Sequence, residues 1–542
     1  MKKIRLLVIV LLAIGASLFW AMTSERTVNV WGKDGFSYEL VIPAYVTVHE
    51  SKDEDNRSHV QSTGPFEDVV TEWTLKQFGW KPFAHVKVTA RTLPSGDTFL
   101  YDEVVFTEET IPFTARFTPP KDVWAWEQWA EGRVNESHHD VFGVDATDIA
   151  AGYATSDHGS FVVSQSFHSV EKTYEDEETK TNSTIRVLRS ERAPTLVPNS
   201  SIERRFDAPP WERMDGWILL SNEALFSSKE AMDDYVAFAE EETYKRLNWL
   251  TADGAYTKLA HSIEPSHPNG YGRVLGRMQD DEALRLYEST RERWYENLVA
   301  HSWVTLIQYQ TDKLASGEAN GSRWPTEFTS TWLKNAYGVT APYVDTRYNE
   351  YIAFFLDDVS EQFGWKVAGG TNGSQEVEQY ARFLLDRIEA GDVLRTPNGY
   401  LLIDYFKEDA PAPLITHASL NHELGGLKIL LTAYERTKEA AFLHAAEQIM
   451  TGIEEAGADQ GGWIRPNGDL WYQMRPDGTM SSDDYPQLTL LDLLEANELL
   501  EQIGKPRNVS FDDMIDAKVR FLQEEGVAFI PKVSELLKRR DG

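Results

Sequence analysis

Residues 413–436 read PLITHASLNHELGGLKILLTAYER, a stretch in which polar side chains lead directly into an apolar helix. Apolar residues recur at alternating spacings of four and three, which predicts one face of an α-helix. Further apolar residues fall off that face, so the helix is apolar around much of its girth and is predicted to be buried. His417, Asn421 and His422 nevertheless stand at its start. This combination predicts an inner helix whose N-terminal end opens into a pocket.

The same arrangement returns as an internal repeat. The tripeptide PNG at 397–399 recurs at 466–468, 69 residues later, and residues 441–457 align with residues 510–526. Each unit reads as a strand-like turn, a polar loop, a buried inner helix and an amphipathic outer helix that ends in glycine. Helical hairpins that cannot bury their apolar faces alone must stack. We therefore predict an α/α toroid in which the loops before the inner helices converge on one face.

The preceding part of the chain is β-rich. Alternating stretches such as His85–Ala90 are separated by turn residues, which is typical of short strands. The pattern becomes helical at about residue 228. A length of 542 residues also favours more than one domain. The predicted fold class is multidomain α+β, with a sandwich-like domain over 25–120, a β-rich domain or extension over 121–227 and the toroid over 228–542.

The first residues, MKKIRLLVIVLLAIGASLFWAM, combine a basic start with about 17 apolar residues. Residues 1–24 are predicted to be a secretory signal peptide or an N-terminal membrane anchor. We therefore expect an exported protein, extracellular or anchored at the outer face of the cytoplasmic membrane, that meets the membrane only through this segment. The absence of cysteine excludes a disulfide framework and thiolate metal sites.

Acidic residues dominate the exported part of the chain. Beyond residue 24 there are 50 basic and 86 acidic residues, a formal charge of −36. Such a chain does not attract nucleic acid or anionic lipid non-specifically. It also disfavours the long-range steering of polyanionic substrates. The oligomeric state does not follow from composition.

Polar and aromatic residues cluster in the segments that precede the predicted inner helices. Arginine suits a substrate carboxylate, while tyrosine or histidine suits proton removal and return. A tyrosine has an ordinary pKa near 10, so as a base it needs a neighbouring cation, for which Arg347 beside Tyr348 and Arg475 near Tyr472 are candidates. The predicted catalytic residues are Tyr405, His417, Tyr472 and Tyr485; the predicted substrate-binding residues are Trp332, Arg347, Tyr348, Asn349, Asn421, His422 and Arg475.

Purely structural roles compete with these functional ones. His417 also suits a helix start that bonds the backbone, and His422 a satisfied interface histidine. Tyr405 and Tyr472 lie in strand-like segments, where an aromatic ring often packs in the core. Tyr485 precedes a proline, which itself favours the first turn of a helix.

Other chemistries find less support. His417 and His422 are five residues apart rather than four, and no HExxH motif occurs, so no metal site is predicted. The SSDD stretch at 481–484 leaves Ca²⁺ open but lacks the spacing of an EF-hand. No phosphate-binding loop or nucleophile elbow is present, and no cofactor is predicted. A pair of loop carboxylates for glycoside hydrolysis remains an alternative, from Glu327, Asp345, Glu350, Asp404, Glu423, Asp483 and Asp484.

Residues 395–510 resemble the D-glucuronyl C5-epimerases. The stretch ITHASLNHELGGLKILLTAYERTKEAAFLHAAEQI (415–449) is similar to the helix pair of that family, and DLWYQM with DDYPQLTLLDLLEANELLEQIGK (469–474 and 483–505) to its W-Y-x-x-Y-P segment and following helix. The resemblance implies that Tyr472 and Tyr485 serve proton transfer. This chain departs from the family by an insert, QMRPDGTMSSDD, between the two tyrosines, and by having no clear counterpart of the late Tyr-His motif after residue 510.

The expected function is that of an enzyme acting on a uronate-containing polysaccharide by abstraction of the C5 proton. Re-protonation from the opposite face gives epimerisation, whereas loss of the 4-linked group gives a lyase. A glycoside hydrolase on the same toroid is a second expectation. The third is a non-catalytic envelope protein that binds a glycan or a partner.

Overall fold

The computed structural model describes residues 24–50, 59–61, 66–120, 124–129, 149–178, 180–198, 200–241, 248–260, 262–267, 269–315, 322–366, 375–408, 410 and 412–541. The segment predicted as a signal or anchor therefore lies outside the described residues, apart from Ser24. The chain divides into two compact units: residues 1–174, 184–274 and 280–305 belong to one, and residues 175–183, 275–279 and 306–542 to the other.

The N-terminal unit is built mainly of strands. They are β1 (Glu25–Lys33), β2 (Phe36–Pro43), β3 (Val46–Glu50), β4 (His59–Gln61), β5 (Glu67–Gln77), β6 (Lys81–Thr92), β7 (Thr98–Phe106), β8 (Phe113–Thr118), β9 (Ala125–Gln128), β10 (Gly152–Ser156), β11 (Gly159–Val163), β12 (Ser166–Glu175), β13 (Asn182–Arg192), β14 (Thr195–Val197), β15 (Ser201–Phe206), β16 (Arg213–Ser221), β17 (Trp249–Thr251), β18 (Gly254–Lys258), β19 (Ile263–Glu264) and β20 (Gly270–Arg273).

Two sheets of this unit share one apolar core. The smaller sheet has the order β1-β2-β8-β15-β14, and the larger one contains β16, β7, β6, β5 and β3 side by side. Leu40, Ala115 and Ile202 of the smaller sheet pack with Val86 and Leu100 of the larger sheet. Strands from 25–120 and from 121–227 therefore pair with one another in both sheets, β8 with β15 and β7 with β16. The structure joins in one unit the two β-rich ranges that the sequence analysis treats separately.

Helices dominate the second half of the chain, with short strands between them. The helices are α1 (Lys229–Glu241), α2 (Asp281–Thr290), α3 (Arg293–Ala315), α4 (Thr331–Tyr337), α5 (Thr346–Phe363), α6 (Glu376–Ala390), α7 (Leu420–Thr437), α8 (Ala440–Glu455), α9 (Leu488–Gln502), α10 (Val509–Glu524) and α11 (Pro531–Asp541). The short strands are β21 (Thr329–Ser330), β22 (Val344–Asp345), β23 (Val393–Arg395), β24 (Tyr400–Leu402), β25 (Tyr405–Phe406), β26 (Ala418–Ser419), β27 (Trp471–Met474) and β28 (Met480–Asp483).

Inner and outer helices alternate in the C-terminal unit. α7 packs against α5, α6, α8 and α9, and fourteen consecutive residues from Leu420 to Ala433 are buried. The outer helices α8 and α10 begin 69 residues apart, at Ala440 and Val509, and the two PNG tripeptides both lie in tight hairpin turns. The repeat seen in the sequence is thus a repeat of supersecondary structure. Among the described residues, no helix has the length and apolar character needed to span a membrane.

Short ribbons of two and three strands precede the inner helices α5 and α7, respectively. Asp345 pairs with Tyr405 just before α5, and Ser419 pairs with Gln473 just before α7. Because β22 and β26 lead directly into their helices, each ribbon holds its partner strand against the start of an inner helix. Tyr405 and Tyr472 are positioned in this way.

Candidate active site

A buried carboxylate, Asp404, organises the residues around the start of α7. Its Oδ1 accepts from the backbone N–H of Ser419 at 2.7 Å, and its Oδ2 accepts from Ser419 Oγ at 2.5 Å. Nε2 of His417 lies 3.0 Å and Nε2 of His422 3.6 Å from the same Oδ2. Burial alone would raise the pKa of Asp404, but the two histidines and the hydrogen bonds hold it below its ordinary value. Asp404 is therefore a buried anion.

The two histidines are held in different ways. Nε2 of His417 faces Asp404, and its Nδ1 is buried and has no hydrogen-bond partner among the described residues. Nδ1 of His422 lies 2.7 Å from Oγ1 of Thr346, whose hydroxyl donates to the carbonyl of Asp404 at 3.1 Å. Since that hydroxyl proton is committed, Oγ1 of Thr346 accepts a hydrogen bond from Nδ1–H of His422. Both imidazoles are oriented by polar partners rather than by packing alone.

Aromatic rings surround His417. The ring centroids of Trp332, Tyr337 and Tyr405 lie 5.3, 5.6 and 5.7 Å from that of His417. His417 is only 1% exposed, whereas Trp332 is 45% exposed. A ligand would therefore touch the aromatic rings first, with the His417–Asp404 pair beneath them.

A row of hydroxyl groups leads from the surface to Asp404. Tyr485 is 50% exposed, and its ring meets that of Tyr472 edge to face at 5.5 Å. The Tyr472 hydroxyl lies between Tyr485 and Ser419 and interacts electrostatically with both, and Ser419 donates to Asp404. On the far side, the neighbouring Asp484 is fixed by the buried Lys518 at 2.8 Å. The row thus links a solvent-facing tyrosine with a buried carboxylate.

Asp345 lies among these tyrosines. Its side chain caps α5 by accepting from the N–H of Tyr348 at 3.0 Å. Burial raises the pKa of Asp345, while His422 acts against this shift. Asp345 also acts electrostatically on Tyr405, Tyr472 and Tyr485, raising the pKa of each. The four side chains therefore form one group around a half-buried carboxyl.

The tyrosines of this group are kept neutral. Burial is the largest cause that raises the pKa of Tyr405, Tyr472 and Tyr485, and nearby acidic groups add to it. The expected activation of a tyrosine by an adjacent arginine is not seen at Arg347, whose guanidinium lies over the ring of Tyr351 at 4.4 Å. The tyrosines are thus suited to donating hydrogen bonds or protons, and the candidate base is a carboxylate or a histidine.

Arg347 belongs to a separate inner-helix ion cluster, defined here as Arg347, Glu350, Lys428, Asp492 and Glu495. Its terminal nitrogens donate to Glu350 at 2.6 Å, to Asp492 at 2.8 and 3.0 Å, and to the carbonyl of Asn421 at 3.1 Å. These bonds already occupy the donors that were expected to bind a substrate carboxylate. Arg347 instead ties the inner helices together.

Asn349 and Asn421 also occupy interior positions. The Asn349 amide bonds the backbone N–H and carbonyl of Trp324 at 2.7 and 3.0 Å, which is a structural bridge. The side-chain oxygen of Asn421 is buried and has no hydrogen-bond partner among the described residues. Nδ2 of Asn349 also donates to the backbone carbonyl of Asp345 at 2.8 Å, so Asn349 supports the Asp345 segment through the backbone.

Two cations lie near the group around Asp345. Arg277 donates from Nε to the Tyr348 hydroxyl at 3.1 Å. Arg475 is exposed on the hairpin of β27 and β28, and it acts electrostatically on Tyr337. Arg475 and Tyr348 were predicted from the sequence, but Arg277 was not, because it lies in a short 3₁₀ turn far from the repeat.

Tyr337, Thr346 and Ser419 are further residues that sequence reasoning missed. Thr346 and Ser419 each stand at the start of an inner helix. Thr346 directly follows the two-residue strand β22, and Ser419 is the last residue of the two-residue strand β26. That common position is a signal that alignment of the helix starts would have found. Tyr337 ends α4, which lies outside the repeat, and no pattern in the sequence marks it.

Within the described part of the chain, no three His, Cys, Asp or Glu side chains are grouped so as to hold a metal ion.

Comparison with known proteins yields structural similarity only. No protein-family model and no curated protein matches the chain. Solved structures that match include a family 76 glycoside hydrolase from a bovine Bacteroides thetaiotaomicron strain (TM-score 0.34, 13% identity, 68% of this chain and 76% of that chain). Others are cellobiose 2-epimerase from Bacillus thermoamylovorans (0.36, 12%, 55% and 71%) and a D-mannose isomerase (0.33, 14%, 54% and 69%). All three are named for action on sugars, and no activity is assigned to this chain from similarity at this level.

Proposed function

We propose that the C-terminal unit is an enzyme that acts on a polysaccharide by proton transfer at a sugar carbon. The observation that supports this most is the grouping of Asp345, Tyr405, Tyr472 and Tyr485 around the buried Asp404–His417 pair. Asp345 pairs with Tyr405 between β22 and β25, the ring of Tyr405 lies 5.7 Å from that of His417, and the rings of Tyr472 and Tyr485 are in contact. Proton abstraction and return require one group that takes up a proton and another that donates one. A carboxyl with a raised pKa beside neutral tyrosines supplies both.

In this proposal Asp345 removes the proton and a tyrosine hydroxyl returns it. Tyr472 and Tyr485 donate hydrogen bonds to the negative charge that develops on the substrate, which is stabilising because the donors are already oriented. Asp404, His417 and His422 lie beneath and hold Ser419 and Tyr405 in place. Trp332 offers an exposed ring against which a sugar can stack.

The finer proposal is a uronate substrate and C5 epimerisation, on helical hairpins that close into an α/α toroid. A uronate places its carboxylate next to the carbon that loses the proton. Arg277 and Arg475 lie near the tyrosines and are suited to neutralise that carboxylate. If the bond between C4 and the oxygen of the 4-linked group breaks after proton removal, that group leaves, a C4–C5 double bond forms, and the same residues perform a lyase reaction.

The test is proton NMR of a panel of uronate polysaccharides, each incubated in D₂O with the full-length protein. Loss of the C5 proton signal without cleavage supports epimerisation, and loss with a new unsaturated sugar supports a lyase. Asp345→Asn should abolish the exchange, since asparagine still caps α5 but cannot take up a proton. Asp280→Asn, at the N-cap of α2, is the matched control and should leave the exchange rate unchanged. Exchange that persists in Asp345→Asn would contradict the role of this carboxyl.

A glycoside hydrolase is the second candidate. The pKa of Asp345 is raised and that of Asp404 is lowered, and two carboxyls whose pKa values are pushed apart can act as acid and base. This mechanism predicts new reducing ends without deuterium at C5. Asp345→Asn should stop hydrolysis, whereas Tyr472→Phe should leave most of it.

The proposal also includes export of the protein and a polysaccharide as its partner. It requires no metal or cofactor. Reaction rates measured with added Ca²⁺ and with a chelator test the last point. Affinity for a glycan without exchange or cleavage would instead favour a non-catalytic envelope protein.

A further inference from the structure

Exposed aromatic side chains are concentrated at one end of the sandwich in the N-terminal unit. Trp80 is 73%, Trp211 71% and Phe78 50% exposed. The ring of Phe78 stacks on that of Tyr45 with centroids 5.2 Å apart. Scattered apolar residues on a surface are ordinary, but several large rings at one end of a sheet mark an interaction surface.

Strand register places these residues together. Val46 pairs with Gln77 and Gln77 with Lys81, so the turns that carry Tyr45, Phe78 and Trp80 share one end of the larger sheet. At the same end, Val105 of β7 pairs with Arg213 of β16, and the N–H of Trp211 donates to the carbonyl of Phe106 at 2.9 Å. We call Tyr45, Phe78, Trp80 and Trp211 the aromatic rim.

The backbone conformation indicates that the rim is not required by the fold. Phe78 has φ +50° and Trp211 φ +66°, which is left-handed backbone. Bulky side chains are disfavoured there, and glycine or asparagine would be easier to accommodate. Strained aromatic residues that are also half or more exposed point to binding rather than packing.

The described chain enters the sandwich at this same end. Glu25 pairs with Pro43, and the carbonyl of Ser24 accepts from the N–H of Ala44, the residue before Tyr45, at 2.9 Å. Residues 1–22, with their basic start and long apolar run, immediately precede this point in the sequence. The aromatic rim therefore surrounds the place where the apolar segment joins the folded unit.

We propose that the aromatic rim contacts the interfacial region of a lipid bilayer, with residues 1–22 acting as the anchor. Tryptophan and other aromatic rings favour the membrane–water interface, where one end of the ring meets lipid and the other meets water. Electrostatic attraction is not the driving force, because the exported part of the chain carries a charge of −36. The rim thus fixes the orientation of the N-terminal unit on the membrane.

The chain contains no cysteine, so single labels can be introduced without interference. Pro210→Cys places a fluorophore beside Trp211, and Asp157→Cys places one in the β10–β11 turn, at the end of β16 remote from Arg213. The full-length protein is reconstituted in phosphatidylcholine vesicles, and quenching of each label by aqueous iodide is measured. We expect the label at 210 to lose its quenching on reconstitution, and the label at 157 to keep it.

Replacement of both tryptophans, Trp80→Ser with Trp211→Ser, should restore quenching at 210 and leave position 157 unchanged. Equal quenching at the two positions in vesicles would overturn the proposal, as would failure of the full chain to float with the vesicles. Protection of position 210 by a soluble polysaccharide in the absence of lipid would also overturn it, and would assign the rim to glycan binding.

Discussion

Two buried polar clusters of the C-terminal unit lie within a few helical turns of each other, and their charges are arranged in opposite ways. In the inner-helix ion cluster, Arg347 and Lys428 meet three carboxylates at 2.6 to 3.1 Å. Around Asp404 there is instead a group of hydroxyls and imidazoles that extends to the exposed Tyr485. The first cluster pairs its two cations with three carboxylates inside the protein, whereas the second retains proton donors that face outward.

This difference separates a structural role from a chemical one. Residue type alone makes Arg347 a candidate for binding a substrate carboxylate. In the structure, however, its terminal nitrogens donate to Glu350 and Asp492 inside the protein. The helices also approach closely there, since a Cβ on Gly425 would lie 2.0 Å from Oε2 of Glu350. Four predictions test whether the two clusters are as distinct as their geometry indicates.

The largest effect is expected from Lys428→Met. Removing this ammonium group leaves Glu350, Asp492 and Glu495 with Arg347 as their cation in the cluster, and breaking a buried ion pair costs about 3–5 kcal/mol. Urea unfolding should show this loss while the turnover of the folded fraction is retained. Arg382→Gln, which removes the exposed pair with Glu439, should cost about 1 kcal/mol or less. Similar losses from the two variants would mean that the cluster is not a stabilising centre.

Tyr472→Phe should lower turnover and leave the free energy of unfolding unchanged. Loss of the hydroxyl interrupts the row between Tyr485 and Ser419, and removal of a general acid typically lowers kcat about 10²-fold or more. Tyr434→Phe, in the last turn of α7, serves as the control. A variant that loses stability but keeps its turnover would place Tyr472 with the structural residues.

Trp332→Ala should chiefly raise KM. The ring is exposed on one side and rests on His417 on the other, so it is suited to binding the sugar in ground state and transition state alike. We expect an increase in KM of about tenfold, corresponding to about 1.4 kcal/mol. A fall in kcat of the same size would show that Trp332 instead positions His417.

The smallest effect concerns pH. The folded-state pKa of Asp345 is raised, chiefly by burial, so its contribution to stability is present below the unfolded pKa and is lost as pH rises through the folded pKa. The unfolding free energy of the wild type relative to Asp345→Asn should therefore fall as pH increases from about 4. The effect of Lys428→Met should not change over that range, because nearby carboxylates keep the pKa of Lys428 raised. A parallel pH dependence for both variants would remove the distinction between the clusters.

Local pattern accounts for the helical part of the fold. The apolar stripe from Leu420 to Tyr434 and the 69-residue repeat predict α7 and its outer neighbours, because helix periodicity and repeat length are properties of neighbouring residues. The position of His417, His422, Tyr405, Tyr472 and Tyr485 near the helix starts follows from the same reasoning. Whether these residues perform catalysis remains a prediction.

Only the tertiary structure decided which polar residues share a site. Asp404 becomes the centre because strand pairing brings Ser419 and Thr346 to it from two different helix starts. The side chains of Arg347 and Asn349 are instead occupied by buried charges and backbone groups, which must be satisfied. The sequence by itself determined the helices, the repeat and the candidate residues, since these depend on local spacing. The division of the candidates between a site and an ion cluster depends on long-range partners, which local spacing does not encode.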